Sequence, residues 1–120
     1  MKREIKFRAL YDGVWYYQTL VEILTITLAS FRLGEHKTQF TGLHDKTGKE
    51  IYEGDILAYK WEDRDGDEIV NHVIKWDNGR FLMCPIKSVV RTWNIHLHPY
   101  DEESEVIGNI YENPELINNQ

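Results

Sequence analysis

Near the start of the chain, apolar and polar residues alternate. Ile5, Phe7 and Ala9 fall on one side of an extended segment, and Glu4, Lys6 and Arg8 fall on the other. This period-two pattern predicts a half-buried strand over residues 4–9 with Lys6 and Arg8 on its outward face. Asp12-Gly13 supplies turn chemistry, and Val14, Trp15, Tyr16 and Tyr17 have the β-branched and aromatic content of a returning strand, so a first hairpin is expected. Further strands are predicted over 37–41, 55–61, 68–76, 80–84 and 105–111. Asn78-Gly79, flanked by apolar residues, marks the turn between two of these, because both positions tolerate positive φ.

Residues 20–31 carry two conflicting signals. Leu20, Ile23, Leu24, Leu28 and Phe31 fit a helix face, and Thr19 with Glu22 has the spacing of a capping box. Val21, Ile23, Thr25, Ile26 and Thr27 are β-branched, a density that disfavours a helix and suits a sheet. Propensity is given precedence over pattern, and a strand is expected. Pro85 stops the strand before it, and Ile86, Val89, Val90 and Trp93 predict a short capping helix over 86–93. At the end, Asn113-Pro114-Glu115 reads as an N-cap, a proline at the first helical position and an acid in the first turn, followed by Leu116 and Ile117. No repeat or Pro/Ser-rich linker divides the chain, so residues 1–120 are expected to form one domain. Many short strands at regular intervals indicate a barrel or sandwich.

Composition narrows the function classes. With 42% hydrophobic and 28% charged residues, the 120-residue chain is neither disordered nor a membrane span in character. The most apolar stretch, around residues 20–31, is too short to cross a bilayer. The opening MKREIKFRAL alternates charge with apolar groups, so it is expected to belong to the fold and not to a secretory signal. Cys84 is the single cysteine, which excludes an intramolecular disulfide and fits a reducing cytoplasm. A net charge of −6 works against broad binding to nucleic acid.

The most informative stretch is GLHDKTGKEIYEGDIL, where Gly42, Gly48 and Gly54 recur among turn residues. Its spacing satisfies neither phosphate-binding glycine pattern, so structural turns entering a buried strand at Asp55 are expected. Together with REIKFRA, KWDNGRFLM and EVIGNIYENPELI, in this order and spacing, QFTGLHDKTGKEIYEGDIL resembles the YopX family of phage and prophage proteins. The resemblance covers the chain apart from stretches around 20–36, 60–71 and 87–103. It implies a mainly β, small pseudo-barrel of SH3-like or YopX-like type with one or two short capping helices, and a phage or prophage origin. It implies no biochemical activity. The first motif usually ends in Trp-Asp in that family, whereas Leu10-Tyr11-Asp12 stands here, keeping the packing but losing an indole contact.

Other candidate chemistries fall short. Asp63, Asp65 and Asp67 alternate as in a calcium loop, but the glycine is misplaced and Ile74 stands where a bidentate acid is needed, so a solvated hairpin tip is expected. His96 and His98 share a strand face without a third ligand, and no metal is expected. Cys84 lies in an apolar run and is expected to be a small core hydrophobe. No G-x-S-x-G or H-E-x-x-H element occurs. No catalytic residue, cofactor or enzymatic activity is therefore expected.

What remains is surface. Lys6, Arg8, Trp61 and Trp76 are the candidate interaction residues, in a chain also rich in aromatic rings at Trp15, Tyr16, Tyr17 and Trp93. The leading expectation is a cytoplasmic, homo-oligomeric protein-interaction module with no membrane partner. One alternative is binding of single-stranded nucleic acid by Lys6, Arg8 and exposed rings. Another is mimicry of phosphate by the acidic clusters at 63–68 and 101–105, directed at a basic site on a host protein.

Overall fold

The computed structural model describes residues 4–63, 66–77, 79–86, 95–96 and 104–118. Strands β1 (Lys6–Tyr11), β2 (Val14–Thr19), β3 (Glu35–His44) and β4 (Glu50–Tyr52) form one antiparallel sheet in the order β2-β1-β3-β4. Strands β5 (Asp55–Asp63), β6 (Gly66–Asp77), β7 (Arg80–Pro85), β8 (Ile95–His96) and β9 (Ser104–Asn109) form a second, in the order β8-β7-β6-β5-β9. Among the described residues there are three short helices: α1 (Leu20–Thr25), α2 (Ala29–Leu33) and α3 (Glu115–Asn118). The mainly β, antiparallel expectation holds. The described strands stay as two open sheets and do not close into a barrel.

β3 joins the two halves. Its first part pairs with β1 through Arg8↔Thr38 and Phe7↔Gln39, and its second part pairs with β4 through Phe40↔Tyr52. The tight turn at Glu53-Gly54 then carries the chain from β4 directly into β5 of the other sheet. Apart from the one expected over 20–31, the predicted strands appear within a few residues of their expected limits. β6 and β7 form the hairpin expected around Asn78-Gly79, with Asp77 opposite Arg80.

The expected strand over 20–31 is corrected: the segment forms α1 and α2. Both halves of the conflicting signal act in the structure. Thr19 Oγ1 accepts from the Glu22 amide at 3.2 Å while the Thr19 amide donates to Glu22 Oε1 at 2.8 Å, a complete capping box that starts α1. The β-branched Ile26 then adopts an extended conformation, with φ −135° and ψ 97°, which ends the helix after six residues. Topology explains why a third strand does not form here. β2 and β3 flank β1 and both run antiparallel to it, so they are parallel to each other. Parallel strands of one sheet need a crossover connection, here one that passes β1, and residues 20–34 provide it. Gln18 pins this crossover to β2, donating to the Ile26 carbonyl at 3.1 Å and accepting from the Leu28 amide at 3.2 Å.

Around residues 56–57 and 73–74 the second sheet is buried on both faces. Leu57, Ile74, Phe81 and Met83 pack with Ile51 of β4 on one side, while Ile56, Val73 and Ile86 pack against Ile110, Leu116 and Ile117 on the other. Asn113 precedes the helical turn at α3 as expected, its carbonyl accepting from the Leu116 amide at 3.1 Å. The helix expected over 86–93 lies outside the described residues except for Ile86, which is buried next to the end of β7.

Candidate interaction surface

Lys6 and Arg8 are not outward-facing, which corrects the reading of β1. On their face of the strand Arg8 reaches Asp55 at the start of the second sheet and Lys6 reaches Glu50 of β4, while Ala9 packs against Gly34 of the crossover and Ile5 is exposed. Arg8 is 4% exposed and its Nη2 donates to Asp55 Oδ1 at 2.6 Å, with Nε 3.3 Å from Thr38 Oγ1. The guanidinium lies 4.1 Å from the Trp15 ring centroid and 4.6 Å from that of Tyr52. The other Asp55 oxygen accepts from the Tyr52 amide at 2.7 Å. Burial pushes the Asp55 carboxyl above its ordinary range, against the pull of Arg8 and the Tyr52 amide. Lys6 pairs with Glu50 and with Glu4, and its ammonium lies 5.2 Å from the Phe40 ring centroid. A two-sided cover explains the misreading: period two reports which residues share a face, not which face is wet.

This ionic and aromatic seam continues into the C-terminal turn. Trp15 Nε1 donates to Glu112 Oε1 at 2.6 Å, and Asn109 Oδ1 accepts from the amides of Tyr111 and Glu112. The Tyr111 ring stacks on His36 with centroids 4.2 Å apart and meets Trp15 edge-on. Asp45 fastens the 45–49 loop, its Oδ1 accepting from Thr47 and Lys49, while its Oδ2 accepts from the Val106 amide of β9 at 2.8 Å. Gly42, Gly48 and Gly54 all have positive φ, as structural turns require. The signature stretches thus supply the joints between the sheets.

The remaining candidate residues scatter. Trp76 is 48% exposed and packs edge-on against Phe81, near the tip of the β6–β7 hairpin. Trp61 lies in β5 opposite Glu68, and its side chain is outside the described residues, as are residues 64–65 of the acidic tip, where Asp63 pairs with Gly66. His96 pairs with Leu82 in β8, while His98 and the 101–103 part of the second acidic cluster lie outside the described residues. Cys84 is half-buried, less enclosed than a core position, and burial raises its thiol pKa. Among the described residues, no three His, Cys, Asp or Glu side chains converge as metal ligands would.

A different surface stands out, one that the strand reading of 20–31 concealed. α1 has no buried residue: Val21 is 70% exposed and Leu24 75%, and Ile26, Leu28 and Leu33 extend the apolar surface along the crossover. Leu20, Val21, Leu24, Ile26 and Leu28 together leave roughly 500 Å² exposed in one short stretch, the size of the largest apolar patch on a typical monomer, which is often functional. From Thr19 to Phe31 the one ionisable residue is Glu22, whose carboxylate is engaged in the cap. The capping box, together with this near-absence of charge, was the sequence signal for the surface.

Fold and surface define a class: a small two-sheet antiparallel β domain whose charged and aromatic groups join its sheets and whose helical crossover faces outward with apolar side chains. The chain belongs to the YopX family, whose model, described as YopX protein, matches residues 5–118. Its structure is similar to the crystal structure of protein EF1440 from Enterococcus faecalis, with 27% sequence identity and a TM-score of 0.53, over 94% of this chain and 97% of that one. No curated protein matches the chain.

Proposed function

We propose that the chain is a non-enzymatic protein-interaction module, encoded by a phage or prophage and acting in the cytoplasm of the bacterial host, with the outer surface of its helical crossover as the binding face. The observation that carries this reading is α1, a helix of six residues without one buried side chain. So short a helix is not stable in water on its own account, and its apolar side chains gain by being covered. The family resemblance supports the phage or prophage origin. Among the described residues no helix is long and apolar enough to cross a membrane.

The single-stranded nucleic-acid alternative loses its chosen contacts, since Arg8 is buried against Asp55 and Lys6 is paired with Glu50. A photo-crosslinking amino acid placed at Leu24, in bacteria that carry the gene, tests the protein-binding reading. Ile69, equally apolar and 71% exposed on β6, serves as the control position. Protein adducts at position 24 and none at 69 are expected. Absence of any protein adduct at 24 would refute the reading.

A further inference from the structure

We infer that the covering partner is a second copy of this chain, packed crossover against crossover about a two-fold axis with the two crossovers antiparallel. The inference rests on the protein-binding reading of that face and adds the partner and its orientation.

Three observations carry it. The first is size. The exposed apolar stretch from Leu20 to Leu28 amounts to roughly 500 Å², and Leu33 adds to it, approaching the ~800 Å² that each partner contributes to a stable interface of ordinary size. The second is charge. Each chain carries a net charge of −6, so two copies repel unless they meet where charge is sparse. The crossover offers such a place, because between residues 19 and 33 only Glu22 and Arg32 are charged.

The third is the placement of these two charges. Glu22 lies in α1 at the end of the first sheet where the Leu20 amide bonds to the Ile5 carbonyl. Arg32 lies in α2, whose following residue Gly34 packs against Ala9 and the Leu10 carbonyl, towards the opposite end of β1. An isologous contact pairs each residue i on one copy with j on the other, and j with i. Antiparallel crossovers therefore bring Glu22 of each copy towards Arg32 of the other, while a parallel arrangement would bring like charges together. The same geometry sets Leu24, Ile26 and Leu28 near the axis. A generic apolar partner would use the patch without using the opposite signs at its two ends.

Sedimentation equilibrium of the full chain at tens of micromolar, a range suited to interfaces of ordinary strength, is the test. The wild type is expected at twice 14.3 kDa. Leu24→Glu, at a position 75% exposed, should be monomeric while keeping the wild-type circular dichroism and melting of the monomer. Arg32→Glu should weaken association by about tenfold or more, and the Glu22→Gln/Arg32→Glu double variant, which keeps a capping-box residue at position 22 while removing the like charge that would face the new acid at position 32, should recover part of that loss. A wild-type monomer, or a dimer indifferent to Leu24→Glu, overturns the inference. A double variant no tighter than Arg32→Glu overturns the antiparallel orientation. A monomer that still forms crosslinks from position 24 to another protein overturns the second copy and leaves the protein-binding reading standing, whereas a monomer without crosslinks removes both.

Discussion

Arg8 and Asp55 leave water together, and the bond between them has to offset the desolvation of both. Their side chains are 5% and 2% exposed, so removing one partner strands the other in a nearly dry site. Asp55→Ala should therefore destabilise the fold by about 3–5 kcal/mol in chemical denaturation. Arg8→Met with Asp55→Leu should recover most of that loss, falling short by about 1 kcal/mol because the Tyr52 amide still lacks its acceptor. A double variant as unstable as the single one would contradict this account. Asp45 raises a different question at the same scale. Burial opposes its charge, but the hydrogen bonds from Val106, Thr47 and Lys49 outweigh burial and hold the carboxyl below its ordinary value. A depressed folded pKa means that its stabilisation is fully present above the unfolded value near 3.9 and is lost as pH falls through the folded value. Asp55 has the opposite sign, since acidification relieves the cost of its buried charge, and it does not add to acid lability. Asp45→Asn, which cannot titrate in this range, should be less stable than wild type at pH 7 by about 2 kcal/mol. The gap in melting temperature should narrow below about pH 4, and a constant gap from pH 7 to pH 3 would show that the carboxylate contributes no charge-dependent stability.

At the level of elements, the turn between β4 and β5 sets how the two sheets meet. Gly54 has φ +88°, and a Cβ there would lie 2.8 Å from Tyr111 Cε2. That ring cannot easily give way, because it is stacked on His36 and held edge-on by Trp15. Gly48 has nearly the same φ, +90°, with nothing within 4 Å of the added atom. Gly48→Ala should thus cost only its backbone strain, about 1 kcal/mol, while Gly54→Ala should cost about 2–3 kcal/mol through strain plus the clash. Equal losses in urea denaturation would remove the Tyr111 contact from the explanation. The comparison also shows what sequence could and could not reveal about elements. The glycines, the Asn78-Gly79 hairpin and the alternating strands were legible because each depends on local backbone preference. The 20–31 crossover was not, because its helix is favoured by topology: a chain leaving β2 must traverse the sheet to enter β3 parallel to it, and the β-branched residues that suggested a strand only set where α1 stops.

For the whole molecule, the same distinction decides which parts of the surface were readable. The motifs that carry the family resemblance proved to be joints: Arg8, Asp45, Tyr52, Asp55, Asn109 and Tyr111 all tie one sheet or loop to another. The outward reading of Lys6 and Arg8 fails because period two cannot tell a solvated face from a covered one, and that cover comes from Glu50, Tyr52 and Asp55, more than forty residues away in sequence. The apolar crossover lies in a stretch outside those motifs, and it was missed as a surface because its secondary structure was misread first. These parts should differ sharply in local stability. β5 and β6 are flanked by strands on both sides and packed on both faces around residues 55–57 and 72–74, so the amides there should exchange with deuterium only through global unfolding. α1 has one turn or so of hydrogen bonds, a capping box and no buried side chain, so in an isolated chain its amides should open at little cost. If a second copy covers it, that cost must rise with protein concentration, by mass action, while the β5 and β6 amides gain only what dimerisation adds to global stability. Hydrogen–deuterium exchange at about 1 and 100 micromolar, chosen to bracket association of ordinary strength, separates these cases. Peptides covering residues 20–28 should be measurably slower to exchange at the higher concentration, and the same peptides of Leu24→Glu should exchange fast at both; concentration-independent exchange there would mean that no second copy rests on the crossover.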